Sequence, residues 1–358
     1  MRRIAGIVLA VLLIGGVVTA VVAGRDSEET GTATKTVRMV IGSEKAEFFA
    51  DPDVVEALAA EGYTVEVETS GSWAMEGLDL TGYDLAFPSS RAPAAELAEK
   101  YEVRGMLPRP FYSPLVVVSR RGAAEVLAGN GLAELDGQNP GTLKMDAYLD
   151  AAERDRTWQQ LEGSEKYGEL TGTLYISSTD PETSNSGALY LAAASYVANG
   201  GKVVASDAEA ERTAPLLRKL VRVQGAQQSS TDAGFRDFVS GAGNPLVLVY
   251  ESQVVTLLDE QQNADDLVVL YPDTTVNSDH TVVPLTEDGR KLAELLGSDP
   301  TLRKLAVRHG FRPQGDVAEF AAAAVGRTAY LKQRLTGVRQ APVPTSTVLR
   351  ELAQRARG

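Results

Sequence analysis

The stretch TLYISSTDPETSNSGALYLAAASYVANGG, residues 173–201, decides the fold. Residues 173–178 read as a strand, and residues 177–187 as a turn holding six hydroxyl residues and one amide in eleven positions. An apolar, alanine-rich helix follows, closed by Gly200-Gly201 as a C-cap. Strands that alternate with helices in this way point to an α/β layered fold.

The same unit recurs on either side. Upstream, VRMVI (37–41) leads through Gly42-Ser43 into a helical pattern with Phe48, Val55 and Leu58. TVEVET (64–69) ends in Ser70-Gly71-Ser72, and YDLAF (83–87) ends in Pro88-Ser89-Ser90 before the helix APAAELAEKY. PLVVVSR (114–120) is a continuous apolar strand suited to a buried or connecting position, and helix signals follow at 143–158. Downstream, helical patterns cover 207–223 and 231–239. NPLVLVY (244–250) then runs into Glu251-Ser252-Gln253 and a further helix. LVVLYP (267–272) and HTVVPL (280–285) read as strands, and 286–308 as helix interrupted near Ser298-Asp299-Pro300. The tetrapeptide GSEK, at 42–45 and 163–166, is read as a coincidence of composition.

A hydroxyl-bearing turn at a helix N-terminus offers unpaired N–H groups and the positive end of a dipole, which suits an anion. Ser43, Ser70, Ser72, Ser89, Ser90, Ser184, Asn185 and Ser186 occupy such places, with Thr183 in the same turn as the last three. Serine and asparagine are also ordinary N-cap residues, so any one of these turns is explained by capping alone. Several of them at the same end of parallel strands point further, because open α/β sheets bind ligands beyond their carboxyl ends.

The motifs GSEKAEFF, YDLAFPSS, SPLVVVSR, DPETSNSG, VYESQ, YPDTTVNSDHTVVPL and LRKLAVRHGFRP, in that order, resemble the class II periplasmic-type solute-binding proteins of ABC importers. The resemblance covers residues 36–313, and the molybdate, tungstate and phosphate type looks closest. It implies a two-lobed type II binding-protein fold with a hinge, a small solute held between the lobes, an oxyanion as the favoured ligand, and an ABC permease as partner. It implies neither a cofactor nor a catalytic role. Carried over by position, Ser43, Ser70, Ser89, Ser184, Asn185, Ser186, Tyr250 and Glu251 would line the cleft. Glu251 departs from an anion site, since a carboxylate facing an oxyanion costs free energy unless it accepts the ligand's proton. The division expected is 36–115 and 271–358 for the first lobe and 116–270 for the second, with connections near 113–118 and 271–285. A sensing or surface-contact module of the same fold is the alternative to transport.

The N-terminus sets the compartment. IAGIVLAVLLIGGVVTAVVAG (4–24) holds 21 uncharged residues behind Arg2 and Arg3, enough for a helix of roughly 30 Å. It reads as a single-pass anchor with the bulk outside, or as a secretion signal cut near Ala20 or Ala23. Residues 25–35 are a polar linker. With no cysteine in the chain, a lipidated thiol, a disulfide framework and a thiolate metal site are all excluded.

Enzyme and nucleic-acid readings find little support. The net charge of -13 argues against nucleic acid and against an anionic lipid surface. The two histidines, His280 and His309, belong to no H-E-x-x-H, and Asp279-His280 lacks a G-x-S-x-G elbow. No Walker loop occurs, and Trp73 and Trp158 read as core or rim packing.

Overall fold

The computed structural model describes residues 19–20, 34–135, 137, 140–259, 266–315, 317–323 and 330–358. In the first of its two main sheets, Tyr63–Thr69, Lys35–Ile41 and Leu85–Phe87 run parallel in that order. Val283–Pro284 pairs antiparallel with Leu85–Phe87, and Thr19–Ala20 with Tyr63–Thr69. Both faces of this sheet are covered. Val37, Met39, Ile41 and Phe87 meet Phe48, Phe49 and Leu292 on one side, while Val40 and Ala86 meet Met75 and Leu97 on the other. Burial on both faces is why residues 39–41 and Leu85–Phe87 read as unbroken apolar runs, whereas Tyr63–Thr69, buried only at Val65, alternates.

The second sheet is built on Phe111–Arg120, which pairs antiparallel with both Leu246–Tyr250 and Leu267–Pro272. Gly141–Leu143 and Ala133–Leu135 extend it. The other end of the long strand pairs with Asn277–His280 and Arg312–Pro313. Again the period is two. Leu115, Val117, Leu248 and Leu270 face the core under the helix Asn185–Ala198, and Val116, Val118, Val249 and Val269 face the one holding Phe235 and Phe320.

Three expectations need correction. TLYISS is not a strand: Leu174 and Ile176 are buried, but the segment touches the sheet only at Ser177, beside Val247. HTVVPL is not one strand either, because Asn277–His280 belongs to the second sheet and Val283–Pro284 to the first. Residues 281–282 carry the chain between them, with Thr281 N–H on the Pro88 carbonyl and Val282 N–H on that of Pro108. The assignment of all of 271–358 to the first lobe also fails at its end. Leu349, Leu352, Ala353 and Ala356 of the helix Ser346–Arg357 are buried with Leu217 and Leu220 of Asp207–Arg222 in the second sheet's core.

The apolar run 4–24 and the linker 25–35 lie outside the described residues, apart from Thr19–Ala20 and residues 34–35. No helix among the described residues is long and apolar enough to cross a membrane.

Candidate functional site

The parallel strands of the first sheet deliver their serine turns to one place. There a cavity of about 450 Å³ is lined by Ser43, Ser70, Ser72 and Ser89 from those turns. Thr183, Ser184, Asn185 and Ser186 line it from the opposite side, with Tyr250 from the end of Leu246–Tyr250. The two sides approach closely. A Cβ on Gly71 would sit 2.6 Å from the Thr183 carbonyl oxygen, so only glycine fits that turn.

Two candidates fall outside the cavity. Ser90 is buried and donates its hydroxyl to Asn185 Oδ1 at 2.5 Å. Glu251 is fully buried and points away: Arg312 donates to it through Nε at 2.6 Å and Nη2 at 2.7 Å, and the Tyr271 hydroxyl donates as well. The carboxylate that does face the cavity is Glu44, which the sequence reading passed over. Ser229, Ser230 and Thr231 were missed too, although SSTD at 229–232 has the composition of an N-cap.

Capping, the competing explanation of the serines, can be checked helix by helix. Asp51, Ser206, Thr286, Asp299 and Thr345 each accept a backbone N–H of the helix they begin. None of these five lines the cavity, although Ser90, Arg120 and Lys144, which begin Arg91–Lys100, Arg121–Gly129 and Met145–Glu153 outside it, make no capping bond either. Ser184 and Ser230, which begin Asn185–Ala198 and Thr231–Ser240 at the cavity, make no such bond. Their helices therefore present first-turn amides that no capping side chain satisfies, together with the positive ends of their dipoles. The Ser184 hydroxyl instead lies 3.2 Å from that of Ser186, itself 2.7 Å from Thr179 Oγ1.

On the first sheet's side, hydroxyl hydrogens run toward Glu44. Ser72 donates to Ser89 Oγ at 3.0 Å, and Ser89 donates to Glu44 Oε1 at 2.6 Å. The Lys45 ammonium also bonds Oε1, and His280 Nδ1 lies 3.3 Å from it. Burial opposes ionisation of Glu44, but Lys45 and His280 together outweigh it and hold the carboxyl well below the usual range. Oε1 is thus surrounded, while Oε2 has no protein partner among the described residues.

His280 is fully buried, and its Nε2 has no partner among the described residues. Burial, reinforced by the Lys45 ammonium, pushes its pKa down to about 4 against the pull of Glu44 and Asp279. Between about 4 and an unfolded value near 6.5, the unfolded chain binds a proton that the folded chain does not. Stability is therefore expected to fall as pH drops from about 6.5 toward 4, with no contribution from this group above that window. Urea unfolding at stepped pH, repeated on His280→Gln, checks this: the variant should lose the slope in that window, and an unchanged slope assigns it elsewhere.

Among the described residues, no group of three or more His, Asp or Glu side chains is placed to hold a metal ion. No protein-family model matches the chain, and no curated protein matches its sequence. Solved structures do match its fold. The periplasmic binding protein AfuA from Actinobacillus pleuropneumoniae, with exogenous fructose-6-phosphate bound, superposes with a TM-score of 0.59 at 12% identity, covering 90% of this chain and 97% of that one. Iron-bound HitA from Pseudomonas aeruginosa gives 0.57 at 11%, covering 89% and 96%. The sulfate-binding protein SubI from Mycobacterium tuberculosis H37Rv gives 0.55 at 15%, covering 88% and 95%. The chain thus has the fold of periplasmic solute-binding proteins. At such identities the likeness concerns fold, and the ligand must be argued from this chain's own cavity.

Proposed function

We propose that the chain is an extracytoplasmic solute-binding protein, directed across the membrane by its N-terminal apolar run, that captures a small oxyanion and passes it to an ABC permease. The first lobe is read as residues 36–115 with the return from 271, and the second as 116–270 joined by the C-terminal helix. Capture is closure of the two lobes, which requires the ligand to bind the closed state more tightly than the open one.

The observation that carries this reading is the pair of helices, Asn185–Ala198 and Thr231–Ser240, that begin at the cavity behind serines whose hydroxyls make no capping bond, facing the serine turns of the first sheet. Amide donors and hydroxyls from Ser43, Ser70, Ser184 and Ser186 suit oxygens with partial negative charge. Glu44 narrows the class. An ionised carboxylate at the wall repels a fully deprotonated anion and accepts a hydrogen bond from one that carries a proton, which favours hydrogen phosphate, and a phosphate monoester in its singly protonated form, over sulfate or molybdate.

Thermal unfolding of the protein against phosphate, glucose 6-phosphate, sulfate, molybdate, neutral sugars and amino acids tests the reading. A ligand at a hundred times its Kd adds about 2.7 kcal/mol, so phosphate or its monoester should raise the Tm clearly. Stabilisation by sugars or amino acids alone, with every oxyanion silent, would remove the anion.

A further inference from the structure

The hydrogens around Tyr250 follow one from another, starting at a backbone carbonyl. The Ser89 carbonyl oxygen can only accept, and it receives the Ser278 hydroxyl. Ser278 has no second hydrogen, so toward Asn185 it accepts, and the carboxamide atom 3.2 Å away is the nitrogen Nδ2. The orientation of Asn185 is thereby set. Its Oδ1 accepts from Ser90, and its other N–H donates to the Tyr250 hydroxyl at 3.1 Å. Ser90, Asn185, Tyr250 and Ser278 are all buried, so bulk water does not reorient this chain of bonds. Tyr250 is its cavity-facing end: its hydroxyl accepts from Asn185, with the Ser186 and Ser278 hydroxyls also beside it, and its own hydrogen turns from the carboxamide toward the cavity wall that Ser186 lines.

We infer that Tyr250 donates a hydrogen bond to the captured anion, and that Ser278 is a positioning residue that imposes this polarity through Asn185 without touching the ligand. The inference rests on the oxyanion reading and deepens it: the ligand atom at Tyr250 must be an acceptor. Without the Ser278 hydroxyl only Ser90 holds the carboxamide, and because that hydroxyl can accept as well as donate, the carboxamide can turn its oxygen to Tyr250 and take the hydrogen meant for the ligand.

Calorimetric titration of the protein with inorganic phosphate, with sulfate as a second probe, tests it on Tyr250→Phe, Ser278→Ala and the double variant. Losing a hydrogen bond to a charged group weakens binding by about tenfold or more, which is the result expected for Tyr250→Phe. Ser278→Ala should weaken phosphate severalfold in the wild-type background and have no further effect beside Tyr250→Phe. Ser90→Ala, which removes the other constraint on Asn185 from outside the cavity, gives the same readout if Ser278→Ala does not fold. Independent, multiplying losses in the double variant overturn the relay, as does a folded Ser278→Ala protein that binds phosphate as tightly as the wild type. A wild-type protein that binds neither phosphate nor sulfate overturns the oxyanion reading, and this inference with it.

Discussion

Replacing Glu251 with alanine is expected to destabilise the folded protein by about 3–5 kcal/mol, the cost of leaving one member of a buried ion pair without its partner. The reason lies in what the carboxylate holds. Arg312, with a side chain only 2% exposed, donates to both Glu251 oxygens and to the Lys332 and Gln333 carbonyls. Its guanidinium lies 3.9 Å from the Phe320 ring centroid. One interaction thus ties the helix start at Glu251 to Arg312–Pro313 and to the segment 332–333. Loss of Glu251 leaves a buried guanidinium without its counter-ion. Urea unfolding should show the drop, and a volume-matched apolar pair at both positions should recover much of it. Phosphate affinity of the folded fraction should be unchanged. A stable Glu251→Ala protein that has lost phosphate binding would return this residue to the cavity.

The fold was largely legible because most strands are buried on both faces. VRMVI, YDLAF, PLVVVSR and LVVLYP each fall within or over a strand, since adjacent residues such as Met39 and Val40 enter different cores. TLYISS misled because its alternation is real while its backbone bonds go elsewhere. Leu174 N–H donates to Arg156, Ile176 N–H to the Tyr148 hydroxyl and Ser178 N–H to the Gln224 side chain, and only Ser177 meets a strand. Periodicity reports burial and is blind to where N–H groups go.

The serine turns were legible as a set, because parallel strands bring their carboxyl ends together. Glu44 was not. It stands in GSEK, and the second GSEK folds into the same short 3-10 turn, Ser164–Lys166, with Glu165 and Lys166 exposed. What separates the copies is His280 and Ser89, hundreds and tens of residues away, which the local sequence does not announce. Glu251 drew attention for the opposite reason. It follows a strand, as a ligand residue would, yet its partner Arg312 lies 61 positions on.

Glu44→Gln is expected to invert the order of anions. On the oxyanion reading proposed above, hydrogen phosphate, or a phosphate monoester in its singly protonated form, donates its proton to Glu44 Oε2, whereas sulfate has no proton to offer and meets a like charge. Glutamine keeps the shape and turns one acceptor into a donor. Phosphate then loses a charge-assisted bond, worth about 1.5–3 kcal/mol or roughly ten- to a hundredfold in Kd, and sulfate gains by a similar factor as repulsion becomes attraction. Glu44 is held ionised far below neutrality by Lys45 and His280, so near pH 7 only the ligand titrates. Wild-type affinity for glucose 6-phosphate should therefore weaken as pH rises through that ligand's second ionisation, which removes its one proton. Inorganic phosphate keeps a proton above its own, and the glutamine variant should lose the sugar phosphate's dependence. Titrations of both proteins with phosphate, glucose 6-phosphate and sulfate across that range separate the contributions, with the Tm of the variant confirming that Ser89, Lys45 and His280 still pack. If the ratio of the two affinities and the pH profile are both unchanged, Glu44 does not contact the ligand and the preference for a protonated oxyanion is wrong. The hydroxyl turns and the uncapped helix ends would then have to select by geometry alone.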